Sequence, residues 1–241
     1  MPDTMTPPSS AGQPHPGLLS RVVGVLFSPR ETFAAVAARP KWFGALSVAI
    51  LIMGVAQYAL LSTEVGQQLA LDQQIATVET FGGTISDEQY ARMEDSMANA
   101  RYISPIATIF FVPVMMLATS GILHVLFGLV GGGNGTFKQV YAISAHAAII
   151  SSLQVMFTTV VTLAAGRPAG ANLSVFAPML EETSFANRFL STIDLFYVWS
   201  TFITAVGLGV LYKRRTSGYA MVLFGIYLVI AALIAFIRSG S

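Results

Sequence analysis

Cysteine is absent from this 241-residue chain, which excludes disulfides, zinc thiolate sites and catalytic thiols. Charge is scarce as well. Asp, Glu, Lys and Arg together make up 10% of the residues, against about 25% in an ordinary soluble domain. The formal net charge is +1, and no Lys/Arg tract offers a nucleic-acid surface. HExxH, GxSxG and DxD-type patterns are missing, so no catalytic, cofactor-binding or metal-binding residue is assigned. No Asp or Glu falls in the middle of a long apolar run, which weighs against an intramembrane aspartyl protease and most ion-coupled transporters. The proline-containing segment Met1 to Pro16 has no apolar core of the signal-peptide kind and reads as a disordered tail.

What the chain has in abundance is apolar length. Hydrophobic residues make up 54% of it, and mean hydropathy is +0.66. Five stretches carry this excess: Trp42 to Leu61, Ile103 to Val130, Val140 to Ala165, Leu195 to Leu211 and Tyr219 to Ile237. A helix of about 20 residues rises about 30 Å, the thickness of a bilayer's hydrocarbon core. The expected fold is therefore all-α, a polytopic membrane helix bundle with five transmembrane helices. Helices over 17–41 are expected to lie at the interface, and a helical hairpin over 62–102 outside it.

Orientation follows from charge. With the N-terminus in the cytoplasm, the inner segments hold Arg21, Arg30, Arg39, Lys41, Lys138, Lys213, Arg214 and Arg215, against only Asp3 and Glu31. The outer segments hold the remaining ten acidic residues and five basic ones. Lys and Arg near span ends stay inside, and the short Lys213-Arg214-Arg215 turn decides the matter. The C-terminus then lies outside, most naturally across a bacterial cytoplasmic membrane.

Between the spans the sequence is punctuated. Gly17 to Phe27 has apolar residues at helical spacing but is too short to span. Ser28-Pro29-Arg30-Glu31 predicts a capping box opening a second short helix, which ends before Pro40, and Trp42 marks the headgroup level. In the outer insert a second box is predicted at Ser86 and Gln89. Gly131-Gly132-Gly133-Asn134-Gly135 lacks the ending and the preceding strand of a phosphate loop, and reads as an interhelical turn.

Polar groups inside spans are costly, so each is weighed as a site. His124 and His146 flank the glycine turn at similar distances. His124 shares a stripe with Ser120 and Gly128, whereas His146 projects away from the small and polar face of Ser144, Ala147, Ala148, Ser151, Ser152 and Gln154. Neutral histidines bonded to helix carbonyls or to each other are expected, rather than a two-ligand metal site. Asp194 either caps the fourth span or pairs with Arg188 or Arg238, and Trp199 is expected to pack.

Three stretches together resemble the Yip1 domain family. They are Phe27-Ser28-Pro29-Arg30-Glu31-Thr32-Phe33 with Arg39-Pro40-Lys41-Trp42, then Gly132-Gly133 with Thr136-Phe137-Lys138-Gln139, and finally Asp194-Leu195-Phe196 with Trp199. The resemblance implies a membrane protein without enzymatic activity or cofactor. Eukaryotic relatives act in vesicle traffic and bind Rab GTPases through cytoplasmic regions. This chain has only a short N-terminal tail, and its outer insert looks like the bacterial branch.

The expected function is a membrane-organising or protein-interaction module, its cytoplasmic contacts made by the interfacial N-terminal helices together with Phe137, Lys138, Lys213, Arg214 and Arg215. Its expected partners are the bilayer, anionic lipids and other membrane proteins. The alternative is a small-molecule or lipid transporter, for which Gln57, His124, His146, Gln154 and the prolines within spans speak.

Overall fold

The computed structural model describes residues 16–80, 82–181 and 183–239; the expected tail falls almost wholly outside them. Helices α1 (Leu18–Phe27), α2 (Pro29–Ala38), α3 (Phe43–Leu61) and α4 (Glu64–Thr80) lead into α5 (Asp87–Leu123). After α5 come α6 (Phe137–Ala165), α7 (Phe185–Thr192), α8 (Leu195–Leu211) and α9 (Thr216–Ser239). Among the described residues no β-strand forms, and the fold is all-helical. Among the described residues four helical stretches are long and apolar enough to cross a membrane: Phe43–Leu61, Asp87–Val130, Phe137–Ala165 and Thr216–Arg238. Helix α8 is equally apolar but has 17 residues.

Helix α6 is the centre of the bundle. It packs on α3 and α8, which in turn pack on α5 and α9. From Val140 to Ile150 every residue of α6 except Ser144 is buried. That explains His146. Its face of α6 also carries Ala142 and Ile150, and these are covered by Val25 of α1 and by Phe33 and Val36 of α2. The sequence offers no small-residue partner for this face, because the partner is the N-terminal helix pair. Val22 and Leu26 of α1 reach Ile149, 12 residues or about 18 Å along α6 from its first residue. The outward stripe of α1 is apolar too, with Leu19, Val23 and Phe27 exposed.

Two local expectations change. The Ser28 capping box does not form: Ser28 makes no side-chain cap bond. Its N–H is already donated to Gly24 O at 2.7 Å as the last bond of α1, so Glu31 has no free donor to reach. The Thr32 hydroxyl bonds Ser28 O instead, at 3.0 Å. The Ser86 box does form, with Gln89 accepting from Ser86 N–H at 3.0 Å. The helix it opens, however, does not stop before the membrane. It continues through Pro105 and Pro113 and runs on as a π-helix over His124–Val130. The hairpin's second arm and the second span are one helix of 44 residues. Helix α4 packs on its N-terminal half, with Leu71 and Met97 buried.

Candidate functional site

The basic end of the bundle gathers the α2–α3 link, the glycine turn and the α8–α9 turn around helix α2. Thr136 N–H donates to Gln139 Oε1 at 2.8 Å, and Gln139 N–H returns to Thr136 Oγ1 at 3.4 Å, capping α6. The same Gln139 side chain donates Nε2–H to Ala37 O at 2.8 Å. At its other end α2 extends Arg30 Nη2 to Thr216 Oγ1, 3.5 Å away. One short helix thus bridges the starts of α6 and α9.

Phe137 is partly exposed on this end, its ring set edge-on to His124 at 6.1 Å and tilted against Tyr141 at 6.0 Å. Trp42 continues the row edge-on to Tyr141, at 5.3 Å. Lys138, Lys213, Arg214 and Arg215 are exposed. The triple-basic turn closes α8 with a Schellman pattern: Arg214 N–H reaches Gly209 O at 3.0 Å, and Lys213 N–H reaches Val210 O at 3.3 Å. Lys213 therefore sits at φ 52°, alone among the described non-glycine residues. A left-handed residue with a Cβ costs about 1–2 kcal/mol, and glycine would remove that cost.

The glycine turn exists for close approach. A Cβ on Gly135 would stand 2.8 Å from both Leu211 Cδ2 and Tyr212 Cε1, and one on Gly133 would collide with the Tyr212 ring. Gly132 takes φ 66°. Burial pushes the Tyr212 phenol above its usual range, with Tyr219 nearby adding to the rise, so the group stays neutral. Sequence reasoning missed both the tyrosine in the turn and the π-helix leading into it. Just past the end of that π-helix, Gly131 and Gly133 N–H groups reach back five residues, to Leu126 O at 3.0 Å and Gly128 O at 2.8 Å.

His146 is fully buried and bonds Ala142 O through Nδ1 at 2.7 Å, which places the proton on Nδ1. Its Nε2 and the Nδ1 of His124 are buried without partners, and the two rings make no hydrogen bond to each other among the described residues. No group of three or more His, Cys, Asp or Glu side chains placed to hold a metal occurs there either.

Asp194 lies at the opposite end and caps α8. Its Oδ1 accepts from Phe196 N–H at 2.8 Å and Tyr197 N–H at 3.2 Å. Its own N–H donates to Tyr227 Oη at 3.1 Å, which donates on to Thr192 O at 2.9 Å. Trp199 packs against the cluster holding Phe33, Ile143 and Val206. Along the flank of the bundle, α3, α5 and the start of α6 enclose an apolar groove of about 1140 Å³. Lys138 and Trp42 stand among its lining at one end, Arg101 and Tyr58 at the other, with Pro105 and Pro113 in the α5 wall.

The profile of the Yip1 domain matches residues 23–238. The chain belongs to the Yip1 domain family. The membrane protein YknW of Bacillus subtilis (strain 168) is 27% identical over 230 residues, covering 90% of each chain. No solved structure matches. As a Yip1 domain protein the chain is an integral membrane protein. Its three sequence signatures meet around α2. Phe33 from the first packs in one cluster with Trp199 from the third, and Gln139 from the second bonds the last turn of α2.

Proposed function

We propose that this Yip1 domain protein is a non-enzymatic, five-span membrane protein whose basic end is a cytoplasmic contact surface for partner proteins and anionic lipid. Helix α8 counts as a span because 17 residues reach about 25 Å, the lower limit for crossing, and it lies against α6 and α9. Five spans put the termini on opposite sides, and the basic residues of the α8–α9 turn favour a cytoplasmic N-terminus in a bacterial inner membrane. The observation that carries the reading is Lys213 at positive φ. A lysine standing where glycine is favoured supports a role for charge at that turn. Basic residues near an anionic leaflet contribute about 1 kcal/mol each.

Photo-crosslinking in intact cells from a probe at Phe137 tests this, with Leu19 of the outward α1 stripe as comparison. A discrete protein adduct from Phe137 and only lipid from Leu19 is the expected result. Lipid adducts alone from both positions would remove the protein-contact part of the reading.

A second reading, transport of a lipid or small apolar molecule, draws on the flank groove. Cysteines introduced at Ser47 and Gly54 in the groove, and at Ser151 on α6, separate the two in a chain without background thiols. The contact-surface reading expects all three to be protected from a membrane-impermeant reagent. Labelling at Ser47 or Gly54 that an apolar solute blocks would establish the transport reading.

A further inference from the structure

A second cavity, of about 220 Å³, opens at the basic end between the start of α1 and the end of α2. Its lining includes three cations, Arg21, Arg39 and Lys41, and no carboxylate among the described residues. Arg39 and Lys41 are exposed. Arg21 is half-buried, donates from Nη1 to Lys41 O at 3.4 Å, and has a buried Nε without a partner. Three like charges around one hollow repel each other, and a partly buried guanidinium held by one long bond is poorly satisfied. An anion in the hollow relieves both.

The first turn of α1 faces the same space. Gly17 at its N-cap offers no side-chain bond, and no acidic residue sits in that turn. Its leading N–H groups therefore present the positive end of the helix, and among the described residues no side chain caps them. Arg, Arg, Lys and a helix N-terminus converging from different sides suit an anion whose oxygens point in several directions. A phosphate does this and a planar carboxylate does not. The volume equals about seven water molecules, room for a phosphate and a glyceryl group. Leu18, which lines the cavity, packs on Gly44 in the first turn of α3, so the hollow sits beside the head of a spanning helix.

We infer that Arg21, Arg39, Lys41 and the N-terminus of α1 form a phosphate-binding site. Its ligand is either a phospholipid headgroup or a free phosphate. The inference rests on the proposed function only for the leaflet it names, the cytoplasmic one. The site is separate from the Lys213-Arg214-Arg215 turn.

The test uses the full-length protein, delipidated in a neutral detergent. Native mass spectrometry reads retention of added phosphatidylglycerol against diacylglycerol with the same chains, and thermal unfolding reads the effect of millimolar inorganic phosphate. One phosphatidylglycerol retained at least tenfold better than diacylglycerol, without a phosphate effect, assigns a lipid headgroup. A rise in Tm with inorganic phosphate assigns a free phosphate. Either effect must fall at least tenfold in the Arg39→Gln, Lys41→Gln double variant and persist when Lys213, Arg214 and Arg215 are all changed to Gln. Both substituted side chains are exposed, so the double variant should fold, and its Tm without ligand checks this. Absence of both effects in the native chain, or their survival in the double variant, overturns the site. Neither result bears on the Phe137 crosslink, so the two readings fail separately.

Discussion

Replacing Phe33 by alanine is expected to release the two N-terminal helices from the bundle and to cost about 3–5 kcal/mol, the range for a fully buried aromatic. Phe33 has no exposed surface, and its cluster draws on α1, α2, α6 and α8 at once. It lies over Gly207, where an added Cβ would come within 3.4 Å of its ring and would strike Ile143. Small residues at such crossings let helix backbones approach, and the ring fills the space that the approach leaves. Part of the loss should appear as local opening, because α1 and α2 can detach while the spans stay inserted. Protease sensitivity between α2 and α3, together with thermal unfolding in detergent, measures both parts. Phe27→Ala is the comparison: that side chain is 80% exposed, and its removal should change stability by less than about 0.5 kcal/mol. Equal effects of the two substitutions would refute the packing role assigned to Phe33.

The second large effect is expected from reversing charge at Lys213, Arg214 and Arg215 together. Losing three favourable contacts with an anionic leaflet costs about 3 kcal/mol, and three introduced glutamates add repulsion. The turn puts three basic residues in a four-residue link between α8 and α9, so the reversal should leave the pair without a preferred side. Accessibility of a cysteine at Ser217 from each side of the membrane reads the outcome. Lys213→Gly separates charge from conformation. It removes one positive charge yet frees the turn of its left-handed Cβ, so thermal stability should rise by about 1 kcal/mol while lipid association weakens. Unchanged sidedness in the triple variant would contradict the proposed orientation.

Most of the architecture is legible in the residues. Apolar runs place α3, α6 and α9 within a few residues, and α8 begins and ends where the sequence puts it, from Leu195 to Leu211, whereas α5 starts well before its run, at Asp87. The Asp194 cap could be anticipated because it depends on neighbours two and three positions away. The environment of His146 could not, since the helices that bury it lie more than a hundred residues upstream. The Ser28 box failed for a related reason. A sequence motif shows that a donor and acceptor are spaced correctly, but not that the donor has been spent on the preceding helix. Tyr212 in the glycine turn is a contact across two loops. The cavity at Arg21 needs three segments folded together, and periodicity within any one of them carries no sign of it.

The uninterrupted course of α5 has a mechanical consequence. With its π-helical end it makes a 44-residue rod of about 65 Å, joining the acidic hairpin to the turn against which Tyr212 packs. A rod flexes where its ladder of hydrogen bonds is broken, and in α5 two of those breaks are Pro105 and Pro113. Both prolines line the flank groove. A load applied to the N-terminal arm of α5 is therefore expected to bend the wall of the groove before it reaches the basic end.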